Sequence, residues 1–81
     1  MHVVLTRHTL PGHPDWMVVP REIELGTTFH VVGYDRCCPV DDPTGKKVVL
    51  PVYFLESEST EDVLVAPVSC FATKRETDSG N

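Results

Sequence analysis

"TTFHVVGYDRCCPVDDPTGKKVVLPVYFLES", residues 27–57, decides the fold class. Its first nine residues alternate: Phe29, Val31 and Gly33 fall on one side, His30, Val32 and Tyr34 on the other. Alternation with period two, rich in valine and aromatics, predicts a strand over 27–35. "DDPTGKK" follows as a turn, in which Pro43 presets φ, Gly45 accepts positive φ and Asp41 or Asp42 caps the backbone. "KKVVLPVYFLES" is a further strand, 46–57. Pro51 inside it lacks an N–H, so a bulge or an unpaired edge position is expected there. "CCPV" falls between these strands and is read as part of the hairpin loop.

Outward from this hairpin the chain stays β-rich. "HVVLTR" (2–7) predicts a first strand with Val3 and Leu5 on one face, and "VLVAPVSCFAT" (63–73) predicts a fourth and a short fifth after Pro67. Between the first two strands lies a long irregular excursion, 8–26, with three prolines and two glycines. No stretch sustains apolar residues at helical spacing for three turns, and seven prolines leave few windows for a helix. With 81 residues, one domain over 1–73 is expected, followed by a flexible polar tail at 74–81.

Seven basic against twelve acidic side chains give a net charge of −5. That balance opposes direct nucleic-acid binding, which needs cations to neutralise phosphates. The longest apolar run, 48–55, contains a proline and is far short of the roughly 20 residues of a membrane span. The start, "MHVVLTRH", lacks the apolar centre of a secretory signal, and three cysteines cannot all pair within one chain. A cytoplasmic protein with reduced thiols, as a monomer or small homo-oligomer, is expected.

The order of elements resembles an SH3-like barrel. "EIELGTTFHVV" (22–32) is similar to that family's diverging turn and second strand, and "VLVAPVSCFA" (63–72) to its closing strand, proline-led 3₁₀ turn and final short strand. The loop holding Trp16 would take the place of the RT loop, and "CCPVDDPTGK" that of the n-Src loop. The resemblance implies a five-stranded all-β barrel with a long first loop. It does not extend to polyproline recognition: the acidic-aromatic start and the paired tryptophans of peptide-binding members are missing, and Cys70 stands where a groove tyrosine is expected.

Catalytic and cofactor chemistry finds no support. No serine sits in a nucleophile-elbow context and no glycine-rich phosphate loop is present. Adjacent Cys37 and Cys38 are awkward as paired metal ligands, since chelates need intervening residues. One of them could combine with His8, His13, His30 or Cys70, which keeps a small metal-binding domain as an alternative. The simpler expectation is a reduced pair in an exposed loop. Cys70, in an apolar context, is expected to be buried.

The remaining candidates concern partner binding. Trp16 is expected to seal the core, or, if exposed, to head an interface with Met17. Asp35, Asp41 and Asp42 flank one hairpin loop, and Glu56, Glu58, Glu61 and Asp62 crowd the next. If those loops approached each other they would form a negative end, suited to a basic surface on a larger protein, even one made for nucleic acid. The function expected is therefore a non-enzymatic protein-binding module, a regulator or inhibitor of the mobile-element type. The other alternative is a structural subunit that self-associates by strand addition.

Overall fold

The structure, a computed structural model, describes residues 1–57 and 62–74. The expected tail beyond Lys74 and the loop residues Glu58 and Glu61 lie outside the described residues. The chain is all-β: β1 (His2–Leu5), β2 (Thr9–Leu10), β3 (His13–Met17), β4 (Thr28–Asp41), β5 (Lys47–Ser57), β6 (Val63–Pro67), a 3₁₀ turn (Val68–Cys70) and β7 (Phe71–Thr73). Five strands form one antiparallel sheet in the order β6-β5-β4-β1-β7, and β2 and β3 form a second, two-stranded one. Strands β6 and β7 stand at the two edges of the large sheet and do not pair with each other, so the hydrogen-bonded ladder stays open.

The β4–β5 hairpin is the backbone of the fold, and its prolines decide where the sheet narrows. Asp35 pairs with Val52 and Cys38 with Leu50, so Arg36 and Cys37 together oppose Pro51 alone. The missing N–H of Pro51 thus falls at a bulge, as its place in the sequence requires. Cys37 loses a ladder partner there, and its N–H donates instead to Asp35 Oδ1 at 3.0 Å. Beyond the bulge only β4 and β5 remain, since β1 reaches no further than Phe29–His30 side of β4 and β6 no further than Val52 of β5. Pro39 sits in this two-stranded ribbon opposite Val49.

The ribbon corrects the expected loop. β4 runs on to Asp41, so Cys37 and Cys38 lie within a strand, and the connection is only the tight turn 42–46. Gly45 there has φ +88°, in the left-handed region that glycine enters without strain. Asp42 Oδ1 accepts from the N–H of Thr44 at 2.9 Å, from its hydroxyl at 2.6 Å and from the N–H of Lys46 at 2.9 Å.

A second irregularity lies nearer the core. Val31 pairs with Leu55 and Gly33 with Phe54, leaving Val32 as the extra residue. Val52 and Leu55, three residues apart on β5, are both buried. Leu55 packs in one cluster with Val3, Leu5, Val19, Phe29, Ala66 and Cys70, whereas Val52, in register with Pro67, is buried outside that cluster. Gly33 is needed at its bulge: a Cβ there would stand 3.0 Å from Phe54 Cδ2 and 3.3 Å from Phe54 Cβ.

Two substitutions test this packing. Leu55→Ala removes a fully buried side chain at the centre of the sheet and is expected to cost about 2–5 kcal/mol. Gly33→Ala should cost about 1–3 kcal/mol by overpacking against Phe54. Urea unfolding of each variant measures both; a change below about 0.5 kcal/mol at either site contradicts the packing described.

Candidate functional site

An open groove of about 480 Å³ lies between the turn at residues 20–27 and the β5–β6 end of the sheet. Its apolar surface comes from Ile23, Phe29, Val63 and Leu64, and its carboxylates from Glu22, Glu24 and Asp62. Its described lining includes no lysine, arginine or histidine. Glu22, Glu24 and Asp62 are exposed around the apolar floor, and with no cation in the described lining they set a negative potential there.

The wall bearing Glu22 and Glu24 is built by short-range bonds. The Ile23 N–H donates to Pro20 O at 3.1 Å, and the N–H and hydroxyl of Thr27 donate to Glu24 O at 3.2 and 2.6 Å. Gly26, at φ +92°, turns the chain back so that its N–H meets Leu5 O at 2.8 Å while Leu5 N–H meets Thr27 O at 3.0 Å. His8 ties the long loop to this wall. Its Nε2 lies 2.5 Å from Ile23 O, and because a carbonyl only accepts, Nε2 carries the proton. His8 O in turn accepts from the N–H groups of Val18 and Val19, at 2.9 and 3.0 Å.

A smaller crevice, about 260 Å³, lies at the opposite side, lined by Gly12, His13, Pro14, Asp15, Trp16 and Pro43. Trp16 does not fill the core, as Val19, Leu10 and Cys70 already occupy the interior beside the β2–β3 hairpin. It is half-buried on β3, edge-on to the His13 ring with centroids 5.8 Å apart, and Met17 beside it is 45% exposed. The crevice brings Trp16 near the β4–β5 turn.

The described acidic residues of the two groups do not meet at one end. Asp41 is in register with Lys47 at the start of the 11-residue β5, and Glu56 and Asp62 lie toward its other end, about 30 Å of strand away at about 3.3 Å per residue. Asp35 and Asp42 bond to backbone of their own segment, and Asp41 is paired with Lys47 at 2.9 Å on the exposed ribbon. Glu56 is exposed in register with His30. Of the residues singled out in the sequence, Asp62 alone lines the large groove. Glu22, Ile23 and Glu24 were legible only as part of a turn; two carboxylates flanking an isoleucine just before Gly26 are the signal that marks them as a wall.

The cysteines have separate fates. Cys37 is exposed, Cys38 half-buried and Cys70 fully buried, with its Sγ donating to Thr9 O at 3.6 Å. Burial pushes the Cys70 thiol above its ordinary value, against a weaker opposite pull from Arg7. No group of three His, Cys, Asp or Glu among the described residues is arranged to hold a metal ion. No helix among them is long and apolar enough to cross a membrane. Comparison with protein families, with curated proteins and with solved structures finds no match for this chain.

Two outcomes follow from the chemistry of these side chains. Hydrogen bonds from Thr44 and Lys46 hold the Asp42 carboxyl below its ordinary value of 3.8. Its depressed value means the turn is stabilised above that ordinary pH and loses this as acid titrates the folded carboxylate. Protection of the Thr44 and Lys46 amides, taken relative to the intrinsic exchange rate at each pH, should therefore fall below about pH 4, and Asp42→Asn should abolish that acid step. A thiol reagent at neutral pH should label Cys37 and Cys38 in the native protein but leave Cys70 unmodified until denaturant is added. Native labelling of all three thiols would contradict the burial of Cys70.

Proposed function

We propose that the protein is a non-enzymatic binding module that takes a basic segment of a larger protein into the groove between residues 22–24 and 62–64. The observation that carries the reading is the joint lining of that groove: Ile23, Phe29, Val63 and Leu64 with Glu22, Glu24 and Asp62 around them. Arginine and lysine match such a surface with one side chain, laying an aliphatic stem on the apolar floor and a cation against the carboxylates. The net charge of −5 adds long-range attraction for the same partner. Occupying a basic surface of a larger protein is the action of a regulator or inhibitor, and the small acidic chain fits it.

The scaffold we assign is SH3-like. Supporting it are the strand order β7-β1-β4-β5-β6, the 3₁₀ turn led by Pro67 before the last strand, and the long first loop carrying its own two-stranded hairpin. The partner surface on this scaffold is placed away from the Trp16 crevice. There the lining is small, and the neighbouring Asp41 and Asp42 are already engaged within the ribbon.

Selection from a random peptide library against the full chain tests the reading. Enriched peptides should carry arginine or lysine between apolar residues. Their binding should fall steeply with salt, as the Debye length shrinks from about 30 Å at 0.01 M to about 3 Å at 1 M. The double variant Glu22→Gln, Glu24→Gln should weaken them about tenfold, whereas Asp41→Asn at the far end should leave them unchanged. Peptides without cations, or binding lost on Asp41→Asn and kept in the double variant, would overturn the proposal.

A further inference from the structure

The groove is bounded by the start of an edge strand of the large sheet, where Val63 and Leu64 line it. Among the described residues, strand β6 pairs with β5 through Val63–Pro67 and with no strand on its other side. Among the described residues no backbone hydrogen bond outside that ladder reaches it. Such an edge is normally blunted by an inward charge, a lysine, a proline or a covering element. Here Val63–Ala66 contains no charge, and Pro67 closes the run only at its end. Val63 and Val65 are 52% and 46% exposed, Leu64 packs against the core, and Val63 and Leu64 both line the groove.

From this juxtaposition we propose that Val63–Ala66 are a docking edge, to which an extended segment of a partner protein adds as a sixth strand of the large sheet. This rests on the groove reading above and gives it a binding mode. In an added strand, alternate side chains point to opposite faces. One set would extend the exposed Val63 and Val65 and favours β-branched residues. The other set enters the groove under Glu22, Glu24 and Asp62 and favours arginine or lysine. The expected ligand is therefore a short segment alternating cations with valine-, isoleucine- or threonine-like residues. A second copy of this chain is a poor occupant: its own β6 offers only valine, leucine, alanine and proline, with no cation for Glu22, Glu24 and Asp62.

Titration of the isotope-labelled full chain with the peptide Thr-Arg-Val-Arg-Val-Arg-Thr, followed by amide chemical shifts, tests this. Two comparators carry the same side chains but are N-methylated on alternate residues, in the two possible phases. Strand addition uses the N–H groups of one phase only. One comparator should bind within about threefold of the parent, and the other should lose at least about tenfold, with shifts concentrated at Val63–Ala66. Comparators that bind alike overturn the docking edge; if Glu22→Gln, Glu24→Gln still weakens the parent peptide, the groove reading survives alone. A clear difference between comparators without any effect of that double variant retains the edge and removes the groove. Shifts at Val63–Ala66 on simple dilution of the protein would identify a second copy as the occupant and overturn the proposal.

Discussion

Everything else in this molecule hangs on the pairing of β4 with β5. These are the two longest strands, and the ladder between them supplies both halves of the architecture: a core-bearing section near Phe29 and Leu55, and a two-stranded ribbon beyond Asp35 and Val52. The two bulges are what make one hairpin serve both ends. At the inner one, Val32 is extra and Gly33 lets the Phe54 ring close over the backbone; at the outer one, two residues face a proline. Each adds local twist, and along β5 Leu55 joins the central cluster while Val52 is buried outside it. A hairpin of the same length without these breaks would bury one side only at every second residue.

The site depends on this coil in turn. By bending the sheet, the hairpin carries the start of β6 toward the turn at residues 20–27, and the gap between them is the groove. Its walls differ in kind. The side with Glu22 and Glu24 is fixed by a set of backbone bonds, by Gly26 and by the His8 imidazole, which holds the Ile23 carbonyl. The side with Val63 and Leu64 is a strand held from one flank only. An acidic wall facing a strand that is paired on one flank only among the described residues is the juxtaposition on which the proposed strand addition rests.

The sequence displayed the strands well because their faces alternate. Val3 and Leu5, and Phe29 with Val31, fall inward as the pattern of period two requires, and Asp42 with Gly45 marks the turn by residue chemistry alone. It displayed long-range geometry poorly. Cys37 and Cys38 looked like loop because a proline and an acidic turn follow them, yet a ribbon needs no burial and so leaves no hydrophobic signature. Trp16 looked like core by size, but the interior beside its hairpin is filled by Val19, Leu10 and Cys70, contributed from three separate segments. An SH3-like arrangement would let the acidic groups approach each other, whereas their described members Asp41 and Glu56 stand toward opposite ends of β5. The groove needed residues 22–24 and 62–64 together, some forty positions apart, and nothing local announces such a meeting.

The placement of β1 between β4 and β7 bears on the order in which the chain assembles. Val3 pairs with Thr73, and Lys74 N–H donates to His2 O at 2.9 Å, so this ladder encloses nearly all of the described chain. Strands β4, β5 and β6, by contrast, are joined by short connections and meet their partners locally. Loop-closure entropy rises with the length enclosed, so the meander of β4, β5 and β6 is the part able to nucleate, and β1 and β7 join a platform already in place. During synthesis on the ribosome, β1 emerges ahead of β7 and stays without that partner until β7 is made. Docking of β7, and with it the enclosure of the Cys70 thiol, is then expected to follow the assembly of the meander.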